Sequence, residues 1–544
     1  MAAGTKRKGS FIKQATILAA AGILVRFLGF VYRMPLTNMI GDEGNGIYAA
    51  GFYIYTFLLI LSSAGLPAAI SKLVSERIAQ RQYRNAHHIF HAALMIAVVF
   101  GTFFGTILFV FSKEIAILSD IPESIYCIQT LAPTLVIVAI MSAYRGYFQG
   151  MNTMIPTAIS QIVEQIFNAF FSVYLAYVFL QVRVPKGMTK NIPLGAAGGT
   201  MGTGIGALAA LIVVVWSYLL IRPYLVRRAK VCRQTVEETR RQAVILLLKT
   251  AAPIIAGTAV FSITNLIDMT MVMRILTSIG YSDETAKVMY GQLSGKFVTL
   301  TTLPVAVSTA IATAAIPSIA ASVKLSKTAQ VNQKMNLTMR ISMIISVPAA
   351  IGIGVLGPQI LHMLFPNAPD GGALLTVGAI SIIFLALCQT ATGVLQGIGH
   401  IKVPVVGAVF GAITKVVLNA VLIPIPQLNI LGAVLSTTGC YVVASAFDVY
   451  MLSRITHVRF DFMRILIKPF IGSCIMGAGA LGMYQALYYI LPNNIVCTLA
   501  AIFIGMILYG VVMLLIRGIG EEDLESIPMG NKIIRVLQTC HMLK

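Results

Sequence analysis

The sequence is short of charged residues. Only 11% of its 544 residues are Asp, Glu, Lys or Arg, whereas soluble domains carry about 25%. Instead, 57% of the residues are hydrophobic, and they form apolar runs of about 20 residues and more. Such runs are long enough to cross a bilayer as helices and too long for the strands of a membrane barrel. The composition excludes a soluble domain and predicts an all-α, polytopic membrane protein.

Acidic residues are the scarcest charged group, with 19 Asp and Glu against 40 Lys and Arg and a net charge of +21. On a soluble protein this excess would indicate a nucleic-acid partner. Here most basic residues fall in short segments between apolar runs. The predicted outer side holds only five: Lys113, Arg183, Lys186, Lys190 and Lys287. This positive-inside pattern argues against nucleic acid and predicts that both termini are cytoplasmic.

Catalytic and metal-binding signatures are also missing. The sequence has no HExxH, GxSxG or Walker loop, and its seven cysteines form no CxxC pair. His87 and His91 share a helix face at i, i+4, but no carboxylate pattern completes a metal site around them. We therefore expect no enzyme activity, no cofactor and no metal, and ATP is excluded as a direct fuel.

The apolar runs predict fourteen transmembrane helices. Their approximate limits are 14–40, 46–70, 87–111, 124–146, 155–180, 196–221, 244–274, 289–316, 335–361, 372–396, 403–425, 430–452, 465–490 and 494–516. The basic connection after the sixth span suggests a linker between two lobes. The predicted divisions are an N-terminal lobe at 1–222, a cytoplasmic linker at 223–243, a C-terminal lobe at 244–452, two further spans at 453–516 and a cytoplasmic tail at 517–544.

An internal repeat supports the two lobes. Pro67–Ser71 in the second span matches Pro304–Ser308 in the eighth. Tyr147–Gly150, at the end of the fourth span, matches Val394–Gly397 at the end of the tenth. Two patterns in the same order at similar offsets indicate duplicated six-helix halves. The sixth span opens with glycines at 198, 202 and 206, a tandem GxxxG that predicts close helix contact.

Two arginines interrupt the first apolar run. Arg26 and Arg33 lie seven residues, or two helical turns, apart, so they share a helix face with Gly29 between them. A charge at mid-bilayer costs about 2.5–3.5 kcal/mol on insertion scales, which makes such a residue a candidate for function. Arg26 is predicted to lie near mid-depth and Arg33 closer to the outer face.

Other charges also fall inside predicted spans. Lys249, Arg340 and Asp448 lie near cytoplasmic span ends, where side chains can snorkel to the interface. Deeper positions are predicted for Glu164, Lys296 and Lys415, with Asp268 less deep. The excess of cations suits an anionic cargo, and Arg is apt for phosphate because its guanidinium can bind two oxygens. A structural alternative stays open, in which Arg26 pairs with Glu164 and Lys415 with a backbone carbonyl.

These features resemble a known family. The two six-span halves with two extra spans, the Arg26–Gly29 face, Pro67–Ser71 and the stretch Tyr144–Gly150 resemble the polysaccharide-exporter branch of the multidrug/oligosaccharidyl-lipid/polysaccharide (MOP) flippase superfamily. The resemblance covers essentially the whole chain. It implies a monomeric flippase of the bacterial cytoplasmic membrane that works by alternating access. It also implies a lipid-tail groove formed by the last two spans.

The resemblance implies a cargo and its contacts. The cargo is a saccharide linked to undecaprenyl pyrophosphate, with the peptidoglycan precursor lipid II as first expectation and teichoic, capsular or spore-cortex units as alternatives. Arg26, Arg33 and Lys296 correspond to cavity-lining cations of the family. We add Lys415 as a substrate-binding candidate, with Glu164 and Asp268 as candidate ion-coupling groups or charge partners. The fuel is the membrane potential or a gradient of a monovalent cation.

Two other functional classes remain open from the sequence. A drug/cation antiporter of the same superfamily would need a cavity rich in carboxylates, and the predicted spans hold only three acids and a larger number of bases. A non-transporting scaffold would leave the buried charges without a role.

Overall fold

The apolar runs form helices throughout the described chain. The computed structural model describes residues 2–184, 189–231, 238–324 and 328–519, and within these ranges there is no β-strand. Part of the predicted linker (232–237) and nearly all of the predicted tail (520–544) lie outside the described residues. The prediction of an all-α protein is confirmed for the part of the chain that the structure describes.

Seventeen α-helices make up this part of the chain. They are α1 (Ala2–Leu59), α2 (Leu66–Ala79), α3 (Tyr83–Val110), α4 (Ser112–Leu118), α5 (Ile125–Gly150), α6 (Ile155–Leu180), α7 (Ile192–Val231), α8 (Arg240–Ser278), α9 (Asp283–Gly291), α10 (Val298–Lys324), α11 (Thr328–Leu364), α12 (Gly372–Gly378), α13 (Ser381–Gly397), α14 (Lys402–Leu422), α15 (Ile430–Thr456), α16 (Lys468–Ile490) and α17 (Asn494–Leu515). Every one of the fourteen predicted segments falls largely on one of these helices, or on the bent pair of α12 and α13.

The structure supports a multi-pass membrane protein. Among the described residues, ten helices are long and apolar enough to cross a membrane by length and composition. The number is eleven if α12 and α13, which are bent by 54°, count as one span. One of the ten runs continuously over Ala20–Ala79 and therefore covers two predicted spans. The predicted total of fourteen is not established by this count.

Several helices are interrupted by a kink or bounded by a π-helical turn. In α1, Gly41 has φ 69° and ψ −172°, a conformation that side chains with a Cβ rarely adopt, and it separates two straight helices. The described chain has three π-helical turns at helix boundaries. Ile60–Ala64 follows α1, Gln292–Phe297 lies between α9 and α10, and Met463–Ile467 precedes α16. Such turns often mark functional positions in helical proteins.

The chain packs as two compact units, Met1–Gly295 and Lys296–Lys544. In the first unit α6 packs along α7, α3 against α5, and α1 against both α6 and α9. Its core centres on Phe90, Tyr147 and Tyr218, whose rings stack or tilt against one another. Because α8 and α9 belong to this unit, the packing boundary lies later in the chain than the predicted linker at 223–243. The lobe boundaries stay a prediction.

The second unit is built on α11 and α13. Helix α10 packs on both of them, α13 on α15, α14 on α15, and the pair α16 and α17 on α11. Its main core gathers aliphatic and methionine side chains of α10, α11, α13 and α15, including Met335, Met343, Ile382 and Leu395. A smaller apolar cluster of Leu356, Ala480 and Ala501 joins the last two helices to α11.

The tandem GxxxG of α7 makes the close contact that the sequence predicts. A Cβ at Gly198 or Gly206 would lie 2.5 Å from the carbonyl oxygen of Leu175 or Glu164 on α6. At Gly202 it would meet the backbone nitrogen of Ser172 at 2.3 Å. The Ser172 hydroxyl donates to the Gly199 carbonyl, 2.7 Å away, across the same contact. The prediction of close packing is confirmed.

Candidate functional site

Arg26 and Arg33 of α1 have different surroundings. Arg33 is half-buried, and its guanidinium carbon lies 5.1 Å from the ring centroid of Tyr48. This is a cation–π geometry, which stabilises the charge without neutralising it. Arg26 is exposed and forms no ion pair with any residue that the structure describes. Between them, a Cβ on Gly29 would lie 3.2 Å from Nε2 of Gln165, so this face of α1 contacts α6.

Asp268 of α8 is buried in the same unit as these arginines. It is close enough to the hydroxyls of Tyr53 and Tyr290 to interact with them electrostatically. Tyr53 is also within electrostatic reach of Arg33. Tyr53 of α1 therefore lies within electrostatic range of both a predicted substrate-binding cation and a predicted ion-coupling carboxylate.

Glu164 of α6 forms an ion pair with Arg145 of α5. Nη2 of Arg145 lies 2.7 Å from Oε2 of Glu164, and Nε donates to Oγ of Ser160 at 3.0 Å. The partner of Glu164 is therefore Arg145 and not Arg26, which was considered from the sequence. The signal was available, because Arg145 and Glu164 flank the short turn at 151–154 that joins two antiparallel helices.

Lys296 lies at the start of the second unit and is only 1% exposed. Its ammonium donates to the carbonyl oxygens of Ala368 at 2.7 Å and Asp370 at 2.8 Å, and it lies 5.9 Å from the ring centroid of Phe365. The lysine therefore holds the connection between α11 and α12, and these carbonyls take up part of its hydrogen-bonding capacity.

Lys415 is buried on α14, the helix that packs along α15. Small residues allow this approach, since a Cβ on Gly411 would come within 2.9 Å of the Cys440 carbonyl oxygen. Lys415 and Lys296 both belong to the second unit, whereas Arg26, Arg33, Glu164 and Asp268 belong to the first. The structure joins Glu164 to Arg145 and places Arg33 and Asp268 within electrostatic range of Tyr53.

Asp448 of α15 corrects one interpretation from the sequence. Its side chain is 0% exposed, so it does not snorkel to the interface. Oδ2 accepts a hydrogen bond from the Thr392 hydroxyl at 2.8 Å, and Cys388 Sγ lies 3.9 Å away. Thr392 and Cys388 of α13 cover the carboxylate, so it is closed off from solvent.

The described residues contain no cluster of three or more His, Cys, Asp or Glu side chains that could hold a metal ion. His87 and His91 do contact each other, with 3.0 Å between their Nε2 atoms. The arrangement described here is a set of buried and half-buried charges on apolar helices, which suits the binding of a charged solute within a membrane.

The fold and the sequence relationships agree with this description. The fold matches the solved lipid II flippase MurJ in an inward closed conformation, with a TM-score of 0.65 and 15% identity over 92% of this chain and 98% of that one. It also matches an inward-facing multidrug MATE transporter of the MOP superfamily, with a TM-score of 0.63 and 14% identity over 81% and 98%. The molecule is therefore a multi-pass membrane protein with the fold of MOP transporters.

The family model described as polysaccharide biosynthesis protein matches residues 11–323, and the chain belongs to this family. Among its relatives in Bacillus subtilis (strain 168), stage V sporulation protein B is 28% identical and covers 97% of this chain and 100% of its own length. The lipid II flippase MurJ of the same organism is 28% identical over 83% and 84%. The family resemblance that the sequence indicates is confirmed.

Proposed function

We propose that this protein is a flippase that moves undecaprenyl-pyrophosphate-linked peptidoglycan precursor from the inner to the outer leaflet of the bacterial cytoplasmic membrane. The observation that carries the proposal is the pair of arginines on the apolar helix α1, of which Arg26 has no ion-pair partner among the described residues. A pyrophosphate offers the anionic oxygens that guanidinium groups bind best. The two MurJ matches support the choice of lipid II.

The proposed arrangement has fourteen spans and two lobes with both termini cytoplasmic. It counts α1 as two spans bent at Gly41, the bent pair α12 and α13 as one, and α8 and α10 as one each. Helices α16 and α17 would hold the lipid tail, and their exposed apolar side chains, such as Phe470 and Phe503, support contact with acyl chains. The lobes rock around the bound headgroup while the tail stays in the lipid, and the protein works as a monomer.

Each charged residue has a proposed part in this cycle. Arg26 and Arg33 bind the pyrophosphate. Lys296 and Lys415 add positive charge, and Lys296 exchanges its carbonyl partners for cargo oxygens when the headgroup arrives. If a monovalent cation is coupled, Asp268 and Glu164 are the proposed carboxylates. Asp268 is buried, and Glu164 forms an ion pair with Arg145.

The test measures how much precursor reaches the outer leaflet in depleted cells. An externally added enzyme cleaves only precursor that has been flipped. Wild type is expected to restore cleavage and Arg26→Ala to abolish it. Arg454→Ala should behave as wild type, since Arg454 is an exposed arginine at the end of α15 outside the proposed site. If cleavage stays normal on depletion in cells without a second transporter, lipid II is the wrong cargo.

The family description supports a second cargo within the same mechanism, namely another lipid-linked saccharide such as a teichoic, capsular or spore-cortex unit. Parallel accessibility assays with each lipid-linked unit separate these cargoes. The MATE fold match supports a drug/cation antiporter as a different class. Efflux of a cationic dye that survives Arg26→Ala but not Asp268→Asn would favour that class.

A further inference from the structure

The bend of α1 at Gly41 brings side chains from its two halves together. Gly41 has φ 69° and ψ −172°, so the residues before and after it form separate helical segments. Across the bend, the side-chain amide of Asn45 donates to the Thr37 hydroxyl at 3.2 Å, and both side chains are buried. Along a straight helix these two residues would lie about 12 Å apart. The inner side of the bend is therefore a place where distant positions of α1 meet.

Arg33 and Tyr48 meet across the same bend. Arg33 lies eight residues before Gly41, and Tyr48 lies seven residues after it. Fifteen positions of a straight helix would span about 22 Å. Instead, the guanidinium carbon of Arg33 lies 5.1 Å from the ring centroid of Tyr48, within the roughly 6 Å of a cation–π contact. The contact therefore depends on the bend.

The ring of Tyr48 is held in place on more than one side. Tyr48 is 2% exposed, and its ring stacks on Phe52 with 5.7 Å between the centroids. On α7, a Cβ at Gly199 would lie 3.4 Å from Cδ2 of the ring, so the backbone of α7 passes close to it. A ring packed in this way cannot move freely, and it gives the Arg33 side chain a fixed surface to rest on.

The surroundings of Arg33 are aromatic rather than acidic. Tyr32 and Tyr53 also lie within electrostatic range of its guanidinium. Among the residues that the structure describes, no carboxylate forms an ion pair with Arg33. A carboxylate would neutralise the charge and occupy two N–H donors, whereas the face of a ring stabilises the charge without neutralising it. Arg33 therefore keeps its charge and most of its donors for an anion.

We propose that Tyr48 is a positioning residue of the cargo site, whose ring holds the Arg33 guanidinium ready for the pyrophosphate of the lipid-linked cargo. This role rests on the proposed function, because it requires Arg33 to bind the headgroup. Tyr48 acts through Arg33 and does not itself bind the cargo. A guanidinium held in advance loses less rotamer freedom when the anion arrives, so less of the binding free energy is spent on ordering it.

The test measures the affinity of undecaprenyl pyrophosphate for the full-length protein in detergent. Tyr48→Leu is expected to weaken binding by about 3- to 10-fold, the effect of one lost cation–π contact. Tyr48→Phe keeps the ring and should stay within about 2-fold of wild type. Tyr55→Leu is the matched control, because Tyr55 is 3% exposed on the same helix and has Glu164 within electrostatic range. Its loss should leave the affinity unchanged.

A double-variant cycle separates positioning from a general effect on the fold. In an Arg33→Gln background, Tyr48→Leu should cause no further loss of affinity, because the side chain that it positions is gone. A structural role of Tyr48 would instead lower the affinity by the same factor in both backgrounds, and this result would overturn the proposal. If Tyr48→Leu does not fold, Tyr48→Met takes its place in the cycle, since methionine adapts to irregular gaps and has no ring.

The outcome at Arg33 distinguishes this proposal from the proposed function. If Arg33→Gln weakens binding and Tyr48→Leu binds as wild type does, Tyr48 does not position Arg33 and only the present proposal fails. If Arg33→Gln and Arg26→Gln both bind undecaprenyl pyrophosphate as tightly as wild type, the arginines do not bind the headgroup. The proposed cargo site then fails, and the role of Tyr48 fails with it.

Discussion

The ion pair between Arg145 and Glu164 joins two antiparallel helices inside an apolar unit. The side chains are 13% and 26% exposed, so neither charge has enough water to be stable alone. In such surroundings, loss of one partner costs more than the pair contributes, because the remaining charge stays buried without compensation. The pair therefore gives a way to separate a structural role of Glu164 from the ion-coupling role proposed for it.

We expect Arg145→Gln and Glu164→Gln each to lower the free energy of unfolding by about 1–3 kcal/mol. The double variant should recover much of this loss, since no charge is left unpaired. Thermal unfolding in detergent measures the cycle. Arg274→Gln is the control, because its pair with Asp120 is exposed (63% and 34%) and should contribute less than about 1 kcal/mol.

Transport by the same variants separates the two roles. A structural Glu164 predicts that flipping recovers in the double variant together with stability. Flipping that stays lost in a stable double variant would contradict the structural role and support ion coupling at Glu164.

The sequence could select candidate charges, but their depth in the membrane stays a prediction. An arginine in the middle of an apolar run stands out, so Arg26 and Arg33 could be selected as candidates from their spacing alone. The partners of each charge could not be predicted from spacing, because these partners lie on other parts of the chain. Lys296 binds carbonyls about 70 residues away in sequence, and Asp448 meets Thr392 of another helix. Spacing along one helix contains no information about such contacts.

At the scale of the helix, the glycine stripe of α7 sets how closely it can pack on α6. Gly202→Ala would place a Cβ 2.3 Å from a backbone nitrogen, which a rotamer change cannot relieve. We expect α6 and α7 to separate and the free energy of unfolding to fall by about 1–3 kcal/mol. The measurement is the apparent melting temperature of the purified protein in detergent.

Gly482→Ala is the matched control for this prediction. It also lies within a helix, α16, but a Cβ at this position meets nothing within 4 Å. The melting temperature should be unchanged or slightly raised, as for a Gly to Ala change in an open helix position. Equal effects at both positions would mean that close packing of α6 and α7 is not what Gly202 provides.

Helix breaks were harder to predict than helix contacts. The GxxxG pattern indicates an interface because small residues at one spacing have one main use in membranes. In contrast, the break of α1 depends on one positive φ at Gly41, and the sequence contains 46 glycines, most without such a role. The sequence predicts two separate spans at 14–40 and 46–70, and the kink at Gly41 lies between them, although no pattern singles out this glycine.

At the scale of the whole molecule, charge determines how transport could be driven. A pyrophosphate cargo with two negative charges that moves outward across an inside-negative membrane gains about 2.3 kcal/mol per charge per 100 mV, or up to roughly 4.6 kcal/mol. The return of an empty site that carries Arg26 and Arg33 is favoured by the same field. A cycle of this kind needs no coupled ion.

We therefore expect the initial rate of flipping in proteoliposomes to rise when a potassium diffusion potential is imposed, negative on the side where the cargo starts, with no sodium or proton gradient present. Reversing the potential should slow the rate. Arg33→Gln keeps Arg26 as the one arginine of the proposed site and should weaken the response of the return step to the potential. Single-turnover assays report the outward step alone, and multiple-turnover assays include the return step. A rate that ignores the potential but follows a sodium or proton gradient would assign the driving force to a coupled cation. Asp268→Asn should then abolish that dependence, because Asp268 is a buried carboxylate within electrostatic range of Tyr53, which also interacts with Arg33.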